Sequence, residues 1–304
     1  MSARIVISEF MDQPAVDRLA ARFDVDYRPR LVDDSAALAR ALAPAHGWIV
    51  RNRSPVRGEL LRAAAQLRVI GRLGVGLDNI DVAACAARGI EVIPATGANA
   101  ESVAEYVVCA AMVLLRAAFF STRAVEAGTW PRQTLSQGRE VAGKVMGIVG
   151  YGNIGQLTAR KAEALGMRVT SYDPQVAAAS TRDLGLLLAE ADVVSLHIPL
   201  TPQTRGLIGR EQLGRMKREA VLINTARGGI VDEAALATML REGRLGGAAL
   251  DVFENEPLAA GSPLTGAPRL LLTPHIAGVT VESNERVSAL IGERVAAALD
   301  NLTP

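Results

Sequence analysis

Along residues 1 to about 95, short apolar runs alternate with amphipathic stretches of helical period. Ile5–Ser8, Val25–Tyr27, Trp48–Val50, Arg68–Ile70 and Glu91–Ile93 read as strands. Pro14–Phe23, Ala36–Ala43 (with Ser35 as its N-cap), Arg57–Gln66 and Val82–Arg88 read as the helices between them. Such regular alternation predicts a parallel sheet with helices on both faces. Asn99–Ala118 is helical and apolar around so much of its circumference that it must be buried, between domains or against another subunit. Phe119–Trp130 extends it toward Pro131. A second alternating unit follows, with strands near Val145–Val149, Arg168–Tyr172, Val193–His197, Ala220–Asn224, Gly247–Asp251 and Leu270–Thr273. The amphipathic helix Glu282–Asp300 closes the chain. With no low-complexity linker, the units must meet at short hinges near 95–100 and 276–284, so the last helix packs back on the first unit.

The stretch Lys144–Pro174 organises the second unit. A buried-strand run, Val145–Val149, leads into Gly150-Tyr151-Gly152-Asn153-Ile154-Gly155; the helix Gln156–Leu165 follows, stopped by Gly166, and then the strand Arg168–Tyr172. In this GxGxxG turn Gly150 allows the tight turn, Gly152 the approach of a pyrophosphate, and Gly155 the packing of helix on strand. The N-terminus of that helix, with Asn153 and Ile154 in the turn before it, then faces the phosphates. Asp173 is placed to accept from a ribose diol and to repel a 2′-phosphate, which predicts NAD as the cofactor. The expected fold class is α/β, two Rossmann-like doubly wound parallel-sheet domains with a cleft between them that closes over the ligands. Residues 1–97 plus 283–304 form one discontinuous domain. Residues 98–282 form the NAD-binding one, with an arm near 99–140.

Composition narrows the classes. Lys and Arg number 33 against 32 Asp and Glu, so no charge excess points to nucleic acid or an acidic membrane. No apolar run approaches the ~20 residues that span a bilayer, and Met1–Phe10 lacks the features of a signal peptide. Cys85 and Cys109 have no metal-ligand spacing, lie in apolar helical stretches and read as buried free thiols. The expectation is a cytoplasmic protein without a metal site.

Ligands of open α/β sheets bind beyond the carboxyl ends of the strands. The polar strand-end residues of the second unit are therefore the candidates: His197, Arg227, Asp251, Glu256 and His275. Only three histidines exist. His46 sits in a loop with a surface reading; His197 could line a cofactor edge or make a structural hydrogen bond; His275 lies in the rigid turn TPHIAG. Arg, carboxylate and His together suit reduction of a 2-oxo acid. The guanidinium holds the substrate carboxylate bidentately, the imidazolium protonates the carbonyl oxygen, and the neighbouring carboxylate favours the charged imidazole. A set of interdomain salt bridges is the alternative.

The segments IVRNRSPV, GRLGVGLDNID, NAESVAEY, GYGNIG, SLHIPLTPQT, NTARGGIVDEAAL, LDVFENEP and TPHIAG, spread along the chain, resemble the D-isomer-specific 2-hydroxyacid dehydrogenases. That resemblance implies that Arg227 binds substrate and that Glu256 pairs with His275, the proton donor. It assigns Asp251 to the nicotinamide carboxamide, Thr204 to the cofactor phosphates, and Val75 and Gly76 to the substrate carboxylate. Thr225, Ala226, His197 and Gly278 complete the expected cofactor set, and the Asn99–Trp130 region becomes the arm of a homodimer. Similar sequences carry a longer segment between the ribose-binding acid and the helix before the SLH strand, so an edge strand of the cofactor sheet is expected to be missing here.

Arg51, Arg72 and Arg132 fall where phosphoglycerate dehydrogenases hold the substrate phosphate, while Arg53 could join them or point into solvent. An anionic 3-substituent follows, as in 3-phosphoglycerate or 3-sulfolactate, with the opening segments nearest in look to sulfolactate dehydrogenase-like members. The end at Pro304, without a C-terminal regulatory domain, is expected for a catabolic enzyme and is compatible with a short phosphoglycerate dehydrogenase. The alternatives are a general hydroxypyruvate/glyoxylate reductase, a formate or phosphite dehydrogenase, and an NADH-sensing, corepressor-like binding protein.

Overall fold

The computed structural model describes residues 2–117 and 121–301. The chain divides into two compact units, Met1–Asn99 with Val279–Pro304 (unit 1) and Ala100–Gly278 (unit 2). The breaks fall after Asn99 and Gly278, rather than after residues 97 and 282. The second one shifts because Thr280 caps the closing helix Val281–Asp300: its hydroxyl accepts from Ser283 N, and Ser283 Oγ accepts from Thr280 N. The cap travels with its helix into unit 1.

Unit 1 holds five parallel strands: β1 (Arg4–Ile7), β2 (Asp24–Tyr27), β3 (Gly47–Val50), β4 (Val69–Arg72) and β5 (Glu91–Pro94). Their order is β2-β1-β3-β4-β5, so the winding reverses between β1 and β3. These two central strands are apolar without alternation because both of their faces are covered. Val6, Trp48 and Val50 pack with Leu38 and Leu42 on one side; Ile5, Ile7 and Ile49 pack with Ile291 and Val295 on the other. The first turn of the helix Ser35–Leu42 is capped by Asp34, whose carboxylate accepts from Ala37 N, and not by Ser35 as expected. His46 Nδ1 accepts from Arg4 N, a structural use.

In unit 2 six parallel strands follow: β6 (Val145–Val149), β7 (Arg168–Tyr172), β8 (Val193–Leu196), β9 (Val221–Asn224), β10 (Gly247–Leu250) and β11 (Leu270–Leu272). The order is β11-β10-β9-β8-β6-β7, and the winding reverses between β6 and β8. The helix Ala100–Arg116 buries Val107, Ala111, Leu114 and Leu115 against this sheet and the helix Asn153–Ala164. Much of its apolar circumference is thus covered inside its own unit, while Cys109, expected to be buried, is exposed. The helix does not run on toward Trp130. Ala117 takes a left-handed φ of 55°, residues 118–120 lie outside the described residues, and two short helices follow, Thr122–Glu126 and Arg132–Leu135. Beyond β7 the expected shortening is visible: between Asp173 and the helix Leu184–Glu190 there is one isolated bridge, Tyr172 with Thr181, and no named strand. Among the described residues no helix is long and apolar enough to cross a membrane.

Gly71 in β4 shows how closely the last helix returns. A Cβ there would stand 2.6 Å from both Ile291 Cγ2 and Val295 Cγ2. Overpacking of a filled core costs about 1–3 kcal/mol. Urea unfolding of Gly71→Ala should register such a loss with NAD affinity kept, because the glycine-rich turn lies in unit 2; unchanged stability would contradict this packing.

Candidate active site

The glycine-rich turn opens where unit 2 reverses its winding, at the carboxyl end of β6. Gly150 has φ 95°, and a Cβ on it would lie 2.5 Å from His197 O. A Cβ on Gly155 would lie 2.2 Å from Gly150 O, whereas one on Gly152 would meet nothing within 4 Å. The first and third glycines are therefore demanded by the fold, and the second faces open space with Asn153 exposed beside it. Gly152 is the N-cap of the twelve-residue helix Asn153–Ala164 and offers no side chain to its first amides, which suits a bound pyrophosphate. Asp173, just past β7, accepts from Tyr151 N at 2.9 Å and Gln175 N at 2.8 Å. These bonds fix its carboxylate beside the turn. Thr225 supplies a further sign of fit, since its buried Oγ1 has no hydrogen-bond partner among the described residues. These residues suit a dinucleotide.

The remaining candidates of unit 2 are knit together by backbone contacts. His275 Nδ1 lies 2.8 Å from Glu256 Oε2, and Glu256 Oε1 accepts from Phe253 N at 3.1 Å. With Nδ1 directed at the carboxylate, Nε2 is the nitrogen left for a substrate. Arg227 reaches this group through its neighbour: a Cβ on Gly228 would stand 1.8 Å from Phe253 O, so only glycine lets the NTARGG loop touch the FENEP loop. Asn224 closes the arginine loop by donating to Arg227 O and accepting from Ala226 N.

His275 itself has φ 57°, a left-handed conformation uncommon for a non-glycine residue. Asp251 holds it there. This fully buried carboxylate accepts from Thr273 Oγ1 at 2.6 Å and from the amides of Ile276 and Ala277, each at 2.8 Å. His275 N adds a bond to Asp251 O. Thr273 Oγ1 in turn meets Tyr106 OH at 2.5 Å, and burial pushes that phenol's pKa up. The cofactor role that the resemblance implied for Asp251 thus meets a carboxylate already engaged with the histidine turn.

Other expected residues serve local ends here. Thr204 Oγ1 accepts from Thr201 N and donates to Pro199 O, shaping its own turn. Gly278 closes the turn after Ala277 at the end of unit 2. Arg132 stands exposed on its short helix, also in unit 2. His197 Nε2 lies 2.9 Å from the hydroxyl of buried Ser195, and desolvation lowers the imidazole's pKa to about 4.

In unit 1, Arg51 and Arg53 lie beyond β3 and Arg72 ends β4. Arg53 pairs with Asp33. Arg72 donates from Nε to Gly76 O and from Nη1 to Leu73 O, bracing the loop that carries the exposed Val75. Arg51 stacks over Phe10, with its guanidinium carbon 5.7 Å from the ring centroid, and donates from Nη2 to Asn284 Oδ1 at 3.0 Å. Glu9, Gly228, Thr273 and Tyr106 escape the sequence reading. Glu9 has a usable signal, an acid two residues past the apolar run of β1, but it lies in the unit where no glycine-rich motif draws attention to the strand ends.

The sequence profile described as D-isomer specific 2-hydroxyacid dehydrogenase, NAD binding domain, matches residues 108–277, and the chain belongs to that family. It is an NAD-dependent 2-hydroxyacid dehydrogenase. Among its relatives is the (S)-sulfolactate dehydrogenase of Chromohalobacter salexigens, 52% identical, with 97% of this chain and 98% of that one covered. The D-3-phosphoglycerate dehydrogenase of Mycobacterium leprae is 39% identical over 97% of this chain, but this chain spans only 56% of its length. The crystal structure of the TT0316 protein from Thermus thermophilus superposes with a TM-score of 0.90 at 36% identity, covering 98% of this chain and 97% of that one.

Two outcomes follow from this geometry. Gly228→Ala must push Arg227 away from Glu256 and His275, and ångström-scale misplacement can cost on the order of 100-fold. Steady-state kinetics should show that loss in kcat/KM with NADH affinity within a few-fold of wild type; retained turnover would contradict the contact. The second outcome concerns His197. Between pH 6.5 and about 4 the unfolded chain binds a proton that the folded imidazole refuses. Its contribution to stability is complete above pH 6.5 and is lost as the pH falls toward 4. His197→Gln should flatten the stability–pH curve in that window by about 1–3 kcal/mol; an identical curve would contradict the assignment.

Proposed function

We propose that the substrate is a 2-hydroxy acid, or its 2-oxo partner, with an anionic group on C3, and that a sulfonate is preferred. The observation that carries this reading is Arg51. Burial lowers the pKa of its guanidinium, yet among the described residues it has no ion pair, only the amide oxygen of Asn284 and the face of Phe10. A desolvated cation with neutral partners calls for an anion. Its place also fits, since Arg51 follows β3 at the reversal between β1 and β3. The full-length relative named (S)-sulfolactate dehydrogenase supports a sulfonate. Arg72 and Arg132 are assigned to the same anionic end, and Val75 and Gly76 to the substrate carboxylate.

In this reading Arg227 holds the substrate carboxylate as a fork, and His275 Nε2 gives its proton to the oxo oxygen during reduction. Glu256 orients the ring through Nδ1. Bound NAD supplies the hydride exchange with C2. Gly150, Gly152, Asn153, Ile154, Gly155, Asp173, Thr204, Thr225, Ala226 and Gly278 would hold it, with His197 neutral at the edge and Asp251 acting through the turn it holds. Homodimeric assembly is supported by the large apolar side chains exposed around the arm, Met112, Val125 and Trp130. Free Cys85 and Cys109 support a reducing cytoplasm.

Kinetics with 3-sulfopyruvate, 3-phosphohydroxypyruvate, hydroxypyruvate and pyruvate side by side test the reading. Each charge-assisted hydrogen bond contributes about 1.5–3 kcal/mol, roughly tenfold or more in rate. The two anionic substrates should therefore exceed pyruvate in kcat/KM by at least tenfold, and Arg51→Ala should close most of that gap. Equal turnover of pyruvate would reduce the reading to a general 2-hydroxyacid dehydrogenase.

A further inference from the structure

We infer that Glu9 is the positioning residue that aims Arg51, and so sets the preference for an anionic substrate; this rests on the function proposed above. Glu9 follows β1 and is 4% exposed. Its carboxylate accepts three backbone amides of the neighbouring loop: Arg51 N at 2.9 Å and Ser54 N at 3.0 Å on Oε1, and Arg53 N at 3.1 Å on Oε2. The carbonyls of the same loop are held from the other side. Asn79 Nδ2 donates to Arg51 O at 3.0 Å and to Ser54 O at 2.7 Å. Ser8 next to Glu9 bridges Trp48 Nε1 and Ser54 Oγ, each at 2.9 Å. A four-residue loop is thus clamped at amides and carbonyls by two side chains, far more than a surface turn needs.

A buried charge is costly unless its bonds are made, and three amides compensate this one. The consequence for Arg51 is direct. Glu9 fixes its backbone, its guanidinium carbon lies over the ring of the adjacent Phe10, and the acid's negative charge partly offsets the desolvation of that guanidinium. The guanidinium is aimed without a carboxylate in direct contact, which would compete with an anionic substrate.

The test uses Glu9→Gln in the full-length enzyme. An amide of the same shape keeps one acceptor oxygen and turns an NH2 toward at least one loop amide. We expect kcat/KM to fall at least tenfold more for 3-sulfopyruvate than for pyruvate, with the difference in KM rather than kcat. Hydrogen exchange should accelerate at Arg51–Ser54. Asn79→Ala, which frees the carbonyl side, should shift selectivity the same way and serves if Glu9→Gln does not fold. Equal losses on both substrates, or no acceleration at the loop, would overturn the inference. Wild-type enzyme without preference for the sulfonate would instead overturn the proposed substrate; exchange confined to the loop would still support the positioning role, and its absence would overturn that too.

Discussion

The histidine turn of unit 2 depends on one buried carboxylate. Asp251 takes the Thr273 hydroxyl and the amides of Ile276 and Ala277, and between those anchors His275 is held at a backbone angle it would not choose. Strain of about 1–3 kcal/mol persists only where the surroundings over-determine it. The other contacts of the group follow from this one. With the turn fixed, Nδ1 of His275 meets Glu256, Glu256 meets Phe253 N, and Phe253 O abuts Gly228 beside Arg227. Three of these bonds run from backbone amides to the carboxylates of Asp251 and Glu256, which ties both side chains to the loops they serve.

The same device recurs at the carboxyl ends of both sheets. An acid after one strand accepts one or more amides from the loop after the neighbouring strand: Asp251 after β10 two from the loop after β11, Asp173 after β7 one from the glycine-rich turn after β6, and Glu9 after β1 three from the arginine loop after β3. The reason is general. Parallel strands end together, and their loops leave the sheet with amides that lack ladder partners. A short acidic side chain one strand away can reach several of them. Each instance here immobilises a segment that the proposed chemistry uses: the proton donor, the dinucleotide turn and the anion-binding arginine.

Much of this was legible in the chain. The strand–helix alternation predicted two parallel sheets because central strands such as β1, β3 and β6 are uninterrupted apolar runs. The spacing of Gly150, Gly152 and Gly155 predicted the turn because backbone approach excludes any other residue at two of them. What the chain concealed depends on tertiary contact. Nothing local distinguishes Asp251 as an acceptor of amides from Asp251 as a ligand contact, since its partners are 22 to 26 residues away. The break at Ala117 was hidden because apolarity continues through Phe119 and Phe120 while the backbone turns left-handed. Cys109 looked buried because helical periodicity does not say which stripe faces a neighbour.

The hold of Asp251 on the histidine turn is tested most directly by the single-turnover rate of hydride transfer in Asp251→Asn at saturating NADH. An amide cannot accept all three bonds, so the turn should relax and carry His275 out of line. The rate should fall by roughly 100-fold or more, with the NADH dissociation constant within a few-fold of wild type. A wild-type rate would show that the turn does not depend on Asp251, and a large loss of NADH affinity with the saturated rate preserved would show that Asp251 acts on the cofactor instead.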